Sequence, residues 1–143
     1  MMLGREVTVT SAGDVPPEGA IPVAVGAYVD DQDELRACAW VDLPLGAAMG
    51  AALSMVPREQ ADGCLESGTL PEDFQGNLQE TLTMAAALLN DQGAAQLHIV
   101  PLELLETGLS QRVLDLLADP RAGGYYAIGI DEYGDGLLSF TLA

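Results

Sequence analysis

Glu80 and Thr83 stand one helical turn apart in the stretch Gln79-Glu80-Thr81-Leu82-Thr83-Met84. A carboxylate beside a hydroxyl at that spacing can hold and orient a water molecule. Asn77 lies one turn before Glu80 on a neighbouring track, and Gln79 immediately precedes it. Two side-chain amides, each both donor and acceptor, therefore come near the same carboxylate. Such a group reads as the remains of a catalytic pair. The same pattern also describes the wet edge of a core helix. Phe74, Leu78, Leu82, Ala85 and Leu89 recur at steps of three and four and make one apolar face. Gly76, Glu80, Thr83 and Ala87 fall on a separate stripe.

Other templates are missing. The chain has no phosphate-binding glycine loop ending in Lys-Ser or Lys-Thr, no GxGxxG, no HExxH and no GxSxG. His98 is the only histidine and has no second one to form a ligand cluster; it reads as a surface or half-buried residue. Cys38 and Cys64 lack CxxC spacing, so both are expected as reduced thiols. Asp131, Glu132 and Asp135 cluster near a turn but miss the EF-hand pattern, and no metal site is expected.

The charge narrows the partners. Against 22 acidic side chains stand five arginines and no lysine, a net charge of −17 over 143 residues. That field repels nucleic acid backbones and anionic membranes. It suits a basic patch on another protein, or it serves solubility, genome composition or adaptation to salt. No apolar run reaches the roughly 20 residues of a bilayer-spanning helix. The opening MMLGREVTVT has no apolar h-region, so a cytoplasmic protein is expected.

The elements that must position the polar group follow from periodicity. Arg5 to Thr10 alternates with β-branched residues and reads as a strand; Gly13 to Gly19 is turn chemistry. Ile21 to Val29 and Leu35 to Val41 are apolar strands around an acidic hairpin loop, Asp30 to Glu34. Asp42 and Pro44 open a helix, Leu43 to Met55, closed by Pro57. Its small residues Gly46, Ala47, Gly50 and Ala51 predict close packing on a sheet or another helix. Arg58 to Gly68 reads as a connector with at most one helical turn. Thr69-Leu70-Pro71-Glu72 is a capping box for the main helix, Pro71 to Leu89, with Asn90 and Gly93 as stop signals. Gln96 to Val100 is a strand ending at Pro101, and Ser110 to Ala118 a short capped helix. Tyr125 to Ala143 is a hairpin with its turn at Gly134-Asp135-Gly136. Segregated helices among hairpin strands predict one α+β domain over residues 1–143, its helices packed on one face of a largely antiparallel sheet.

The order strand–strand–helix–linker–helix–strand ending in proline resembles the CheX/CheC/FliY chemotaxis phosphatases over roughly residues 20 to 143. Their central helix carries Gly-Glu-x-x-Asn-x-x-x-Gly. Aligned on that motif, Gln79 stands for the first glycine, Glu80 keeps the glutamate, Thr83 replaces the asparagine and Ala87 the last glycine. The N-terminal helix common in the family is replaced by Arg5 to Thr10. The resemblance implies a CheC/CheX-like fold. It also implies hydrolysis of the aspartyl phosphate of a CheY-like receiver, with the glutamate contacting the receiver's lysine and the asparagine orienting water. The receiver supplies the Mg²⁺, so no cofactor of the chain's own is implied.

Thr83 is shorter than asparagine, and its hydroxyl can bond the carbonyl one turn back. The leading expectation is a signalling or interaction domain that binds a receiver or a flagellar or chemotaxis partner, through Gln79 and Glu80, with weak or no phosphatase activity. The alternatives are an active response-regulator phosphatase using Glu80 with Asn77 or Thr83, and an acidic domain unrelated to signalling. Sheet edges in a small fold can pair between copies, and with the family's CheX a dimer, a homodimer is expected.

Overall fold

Two apolar runs, β2 (Ala24–Val29) and β3 (Leu35–Val41), pair antiparallel at the centre of the sheet. Both faces of these strands are covered, which explains why they read as continuous apolar runs and not as alternation. Asp30 shapes the acidic loop between them. One carboxylate oxygen accepts from the N–H groups of Gln32 and Glu34 at 2.9 and 3.0 Å, and the other from Arg36 Nε at 2.7 Å. The computed structural model describes residues 7–13, 21–90, 97–118 and 122–142, and side chains of the main helix as far as residue 84. Gly13 to Gly19 beyond its first residue, Gly93, and the side chains of Ala85, Ala87 and Leu89 therefore lie outside the described residues.

The remaining strands are β1 (Val7–Gly13), β4 (His98–Ile99), β5 (Glu103–Leu104), β6 (Ala122–Ile130) and β7 (Gly134–Leu142). The sheet runs β1-β6-β7-β3-β2-β4, with β5 also on β2. Every described pair is antiparallel. The α+β class and the antiparallel sheet are borne out.

Helices α1 (Leu43–Ser54), α2 (Arg58–Ser67) and α3 (Glu72–Asn90) form the layer over one face. Asp42 caps α1, its Oδ1 accepting from Leu45 N, and accepts from Leu137 N of β7 as well, both at 3.0 Å. One carboxylate thus fixes the helix start to the sheet. The small residues of α1 do what their spacing predicts. Gly46, Ala47, Gly50 and Ala51 are all buried, and a Cβ on Gly50 would lie 2.5 Å from Phe74 Cγ of α3. The apolar stripe Phe74, Leu78 and Leu82 points inward from α3, with exposures of 1, 1 and 6%. Burying each such side chain is worth about 1.5–3 kcal/mol. Tyr28 of β2 donates its hydroxyl to Leu82 O at 2.8 Å, which pins α3 to the sheet. The short helix α4 (Gln111–Ala118) packs Val113 and Leu116 with Val25, Cys38 and Trp40 on the other face.

Three local expectations are corrected. Residues 58–68 are not a connector with one turn: Arg58–Ser67 is a ten-residue helix. Its apolar signal is slight because only Ala61 and Cys64 are buried, enough to seat it in the core cluster with α1. Gly68, at φ 77°, ends it by donating to Cys64 O at 2.8 Å. The β6–β7 turn is Asp131-Glu132-Tyr133, not Gly134-Asp135-Gly136. Glu132 takes the left-handed φ of 71°, and buried Tyr133 donates to Val56 O at 2.8 Å. Gly136 sits within β7 because the backbone of Leu45 packs directly over it. Finally, the strand after the main helix is two residues in the described region, His98–Ile99, and β5 follows it without a periodic signal.

Candidate functional site

The solvent side of α3 is built by subtraction. Phe74, Leu78 and Leu82 face the core, so Asn77, Glu80, Thr81 and Met84 fall on the outer side. With Leu53 of α1 they line a cleft of about 260 Å³ between the two helices. The structure therefore brings Asn77 and Glu80 together, as their spacing suggests. Thr83 and Gln79 lie on the opposite flank of the helix and do not line this cleft.

Hydrogen bonding decides what each group can still do. Asn77 Nδ2 donates to Ser54 Oγ at 2.7 Å and to Gly50 O at 3.2 Å, so both amide hydrogens are spent holding α1 to α3. Thr83 Oγ1 donates to Gln79 O at 2.7 Å, the bond one turn back that a threonine in a helix can make. Thr81 Oγ1 does the same with Asn77 O at 2.8 Å. Gln79 Oε1 accepts from Leu102 N at 2.5 Å and ties α3 to the segment after β4. Glu80 differs. It is exposed and makes no ion pair or hydrogen bond among the described residues. The described basic side chains are engaged elsewhere: Arg36 with Asp30 and Glu34, Arg58 with Asp62, Arg112 with Asp33, and His98 with Asp31.

Around this carboxylate the surface turns apolar. Met84 is 51% exposed, Leu53 is half-buried, and Met55 follows α1 in a left-handed cap with 89% exposure. Methionine is soft and adapts to irregular partners. The sequence marks neither Leu53 nor Met84 as a site residue. Met84 sits four residues past Glu80, so periodicity alone could have placed it beside that residue. Nothing in the sequence points to Leu53, which reaches the cleft from another helix.

A second hollow, of about 430 Å³, lies at the far edge of the sheet and is lined by Thr8, Arg58, Gly129, Asp131, Glu132 and Asp135. Among the described residues no group of three or more His, Cys, Asp or Glu side chains is arranged to hold a metal ion. Cys38 and Cys64 are buried free thiols. Burial pushes the Cys38 thiol up to about 12 and also raises that of Cys64. His98 is exposed. No described helix is long and apolar enough to cross a membrane.

No protein-family model and no curated protein matches the sequence. Solved structures share its fold. FliY of Thermotoga maritima superposes with a TM-score of 0.61 at 13% identity, over 99% of this chain and 78% of that one. The FliM middle domain of Vibrio alginolyticus gives 0.61 at 10% identity, over 99% of this chain and 81% of that one. The fold is CheC/CheX-like, as the order of elements implied, and at these identities the likeness is one of fold.

Proposed function

We propose that this chain is a cytoplasmic interaction domain that engages a CheY-like receiver, or a flagellar or chemotaxis protein, through the outer side of α3, with weak or no phosphatase activity. One observation carries this reading. Glu80 presents an uncommitted carboxylate in a cleft it shares with Leu53 and Met84, while Asn77 and Thr83, the groups that would orient water, spend their donors inside the protein. An unpaired acid flanked by methionine and leucine fits a surface that offers a cation beside apolar side chains. The net charge of −17 steers such an encounter. A water-orienting centre instead needs a side chain whose donor and acceptor both face the phosphoryl group.

The other reading, an active aspartyl-phosphate phosphatase, is favoured by Asn77 and Glu80 sharing one cleft. To act, Asn77 would have to release Ser54 and Gly50. Mg²⁺ belongs to the receiver in either case. Self-association as a homodimer is part of the proposal.

The test follows phosphate loss from, and binding to, phosphorylated receivers of the same organism. The parent chain is compared with Glu80→Ala and Thr83→Asn. Binding without faster hydrolysis, lost in Glu80→Ala, is the expected result. Accelerated hydrolysis by the parent that disappears in Glu80→Ala would establish the phosphatase reading instead.

A further inference from the structure

A small apolar hollow lies between the turn that joins α2 to α3 and the strand β5. It measures about 140 Å³ and is lined by Val23, Gly68, Leu70, Leu104, Leu105 and Glu106. Its two walls are fixed by different parts of the fold. On one side Gly68 closes α2 in a left-handed conformation, and Gln75 Nε2 donates to Leu70 O at 2.7 Å. On the other, Leu105 N donates to Val23 O at 2.9 Å and continues the pairing of β5 with β2. Neither wall depends on what fills the hollow, so a partner is spared the cost of ordering it.

Burial is incomplete around it. Leu105 is 43% exposed, and Ile21 and Leu65, two and three residues from lining positions, are exposed as well. Apolar side chains gathered at an open hollow mark an interaction surface. Its size says which kind. Sites for small organic ligands hold about 300–1,000 Å³, so this hollow suits one large apolar side chain instead.

The surroundings are acidic. Glu106 lines the hollow, Glu66 precedes Gly68 by two residues, and Glu72 follows Leu70 by two. All three carboxylates are exposed, and none makes an ion pair among the described residues. Nucleic acid and anionic membranes are repelled by such a rim, and an acidic protein surface meets like charge there.

We propose that this hollow docks a basic segment of a second protein, a leucine-sized side chain filling it and flanking lysine or arginine meeting Glu66, Glu72 and Glu106. The site is separate from the cleft beside Glu80, which lies eight residues beyond Glu72, about 12 Å along α3. It stands whatever partner that cleft engages. The buried anchor supplies the affinity, and the exposed charges steer and orient. Because those charges are in water, salt weakens the complex.

Chemical shifts of the isotope-labelled full chain, followed during titration with short peptides to millimolar concentration, read this directly. The probes are Arg-Lys-Leu-Lys-Arg, the same peptide with alanine in place of leucine, and Glu-Glu-Leu-Glu-Glu. The first is expected to shift residues 66–70 and 104–106, less strongly as salt rises. The alanine peptide should bind about tenfold more weakly, and the acidic peptide should not bind. Glu106→Lys, at an exposed position, should lose the basic peptide while its own spectrum stays that of the folded parent. A basic peptide that shifts nothing overturns the proposal, as do equal affinities for the leucine and alanine peptides. Shifts confined to Asn77, Thr81 and Met84 would seat the peptide in the Glu80 cleft, overturning this site and leaving that reading intact. If Glu106→Lys does not fold, the three peptides on the parent chain still decide.

Discussion

Asn77 ties α3 to α1, its amide nitrogen 2.7 Å from the Ser54 hydroxyl and 3.2 Å from the Gly50 carbonyl oxygen. The residue that could stand in as a water-orienting amide from a neighbouring track is, in the folded chain, a strut between helices. Asn77→Ala should therefore lower stability by about 1–2 kcal/mol, the loss expected for two part-buried hydrogen bonds. A solvent-facing residue serving only a bound water would change stability by no more than about 0.5 kcal/mol. Urea unfolding separates the two. An unchanged midpoint would return Asn77 to the list of groups free to act in the cleft.

Thr83→Asn asks whether the family's water-orienting side chain can be restored. The hydroxyl of Thr83 is held at 2.7 Å by the Gln79 carbonyl and the side chain is exposed, so the longer amide has room to turn outward. The expected outcome is a gain in receiver dephosphorylation over the parent with little change in stability. Positioning groups of this kind are worth about 10²-fold or more when correctly aimed. A receiver that binds the variant but shows no gain would mean that the helix is not placed against the phosphoryl group.

The same substitution at two glycines should act with opposite signs. A Cβ on Gly76, mid-helix in α3, meets nothing within 4 Å, so Gly76→Ala gains helix propensity alone, about 0.5–1 kcal/mol. On Gly50 the Cβ would lie 2.5 Å from the root of the Phe74 ring, which cannot swing aside. Overpacking costs about 1–3 kcal/mol and outweighs the propensity gain. Thermal melts should therefore move up for Gly76→Ala and down for Gly50→Ala. Two shifts of the same sign would show that the helices are not packed as closely as described.

Much of this was written in the sequence where local pattern and tertiary packing agree. Phe74, Leu78 and Leu82 mark the core face of α3, and the small residues of α1 mark a close approach, because periodicity and residue volume are local quantities. What stayed hidden depends on distant partners. α2 buries only Ala61 and Cys64, too few to show a period. The glycines at 134 and 136 look like turn chemistry, yet Gly136 is dictated by Leu45 of another element. Likewise Glu80 is marked in the sequence by the family resemblance alone, and the commitment of Asn77 to Ser54 spans 23 residues and leaves no mark along the chain.

Both cysteines should be silent until the chain unfolds. Cys38 is fully buried in β3, and burial raises its pKa to about 12. At pH 8 only about one molecule in ten thousand would carry the thiolate there, the form that reacts. Cys64 is buried as well and shifted the same way. A thiol reagent added to the native protein should therefore react at the rate of unfolding, and both thiols should titrate at once in denaturant. Rapid native labelling of either one would contradict the packing of β3 or of α2.

Asp30 gives stability a defined pH dependence. Its side chain is 4% exposed, and the Glu34 N–H, then the Arg36 guanidinium, hold its carboxyl below the usual carboxylate range. A group whose folded pKa is depressed contributes stability that is present above the unfolded pKa, about 3.9, and is lost as pH falls through the folded value. Acidification has an opposing effect here, because protonating other carboxylates relieves the self-repulsion of a chain at −17. The parent's profile alone thus mixes two signs. Asp30→Asn separates them: it keeps an oxygen for the Gln32 and Glu34 N–H groups but turns an amide toward Arg36, while every other carboxylate is unchanged. The parent should be the more stable protein at neutral pH, and the gap should close below about pH 4. Urea midpoints for the two proteins at several pH values measure it. A gap that stays constant down to about pH 2 would mean that the bond to Arg36 and the loop N–H groups does not distinguish the carboxylate from the acid.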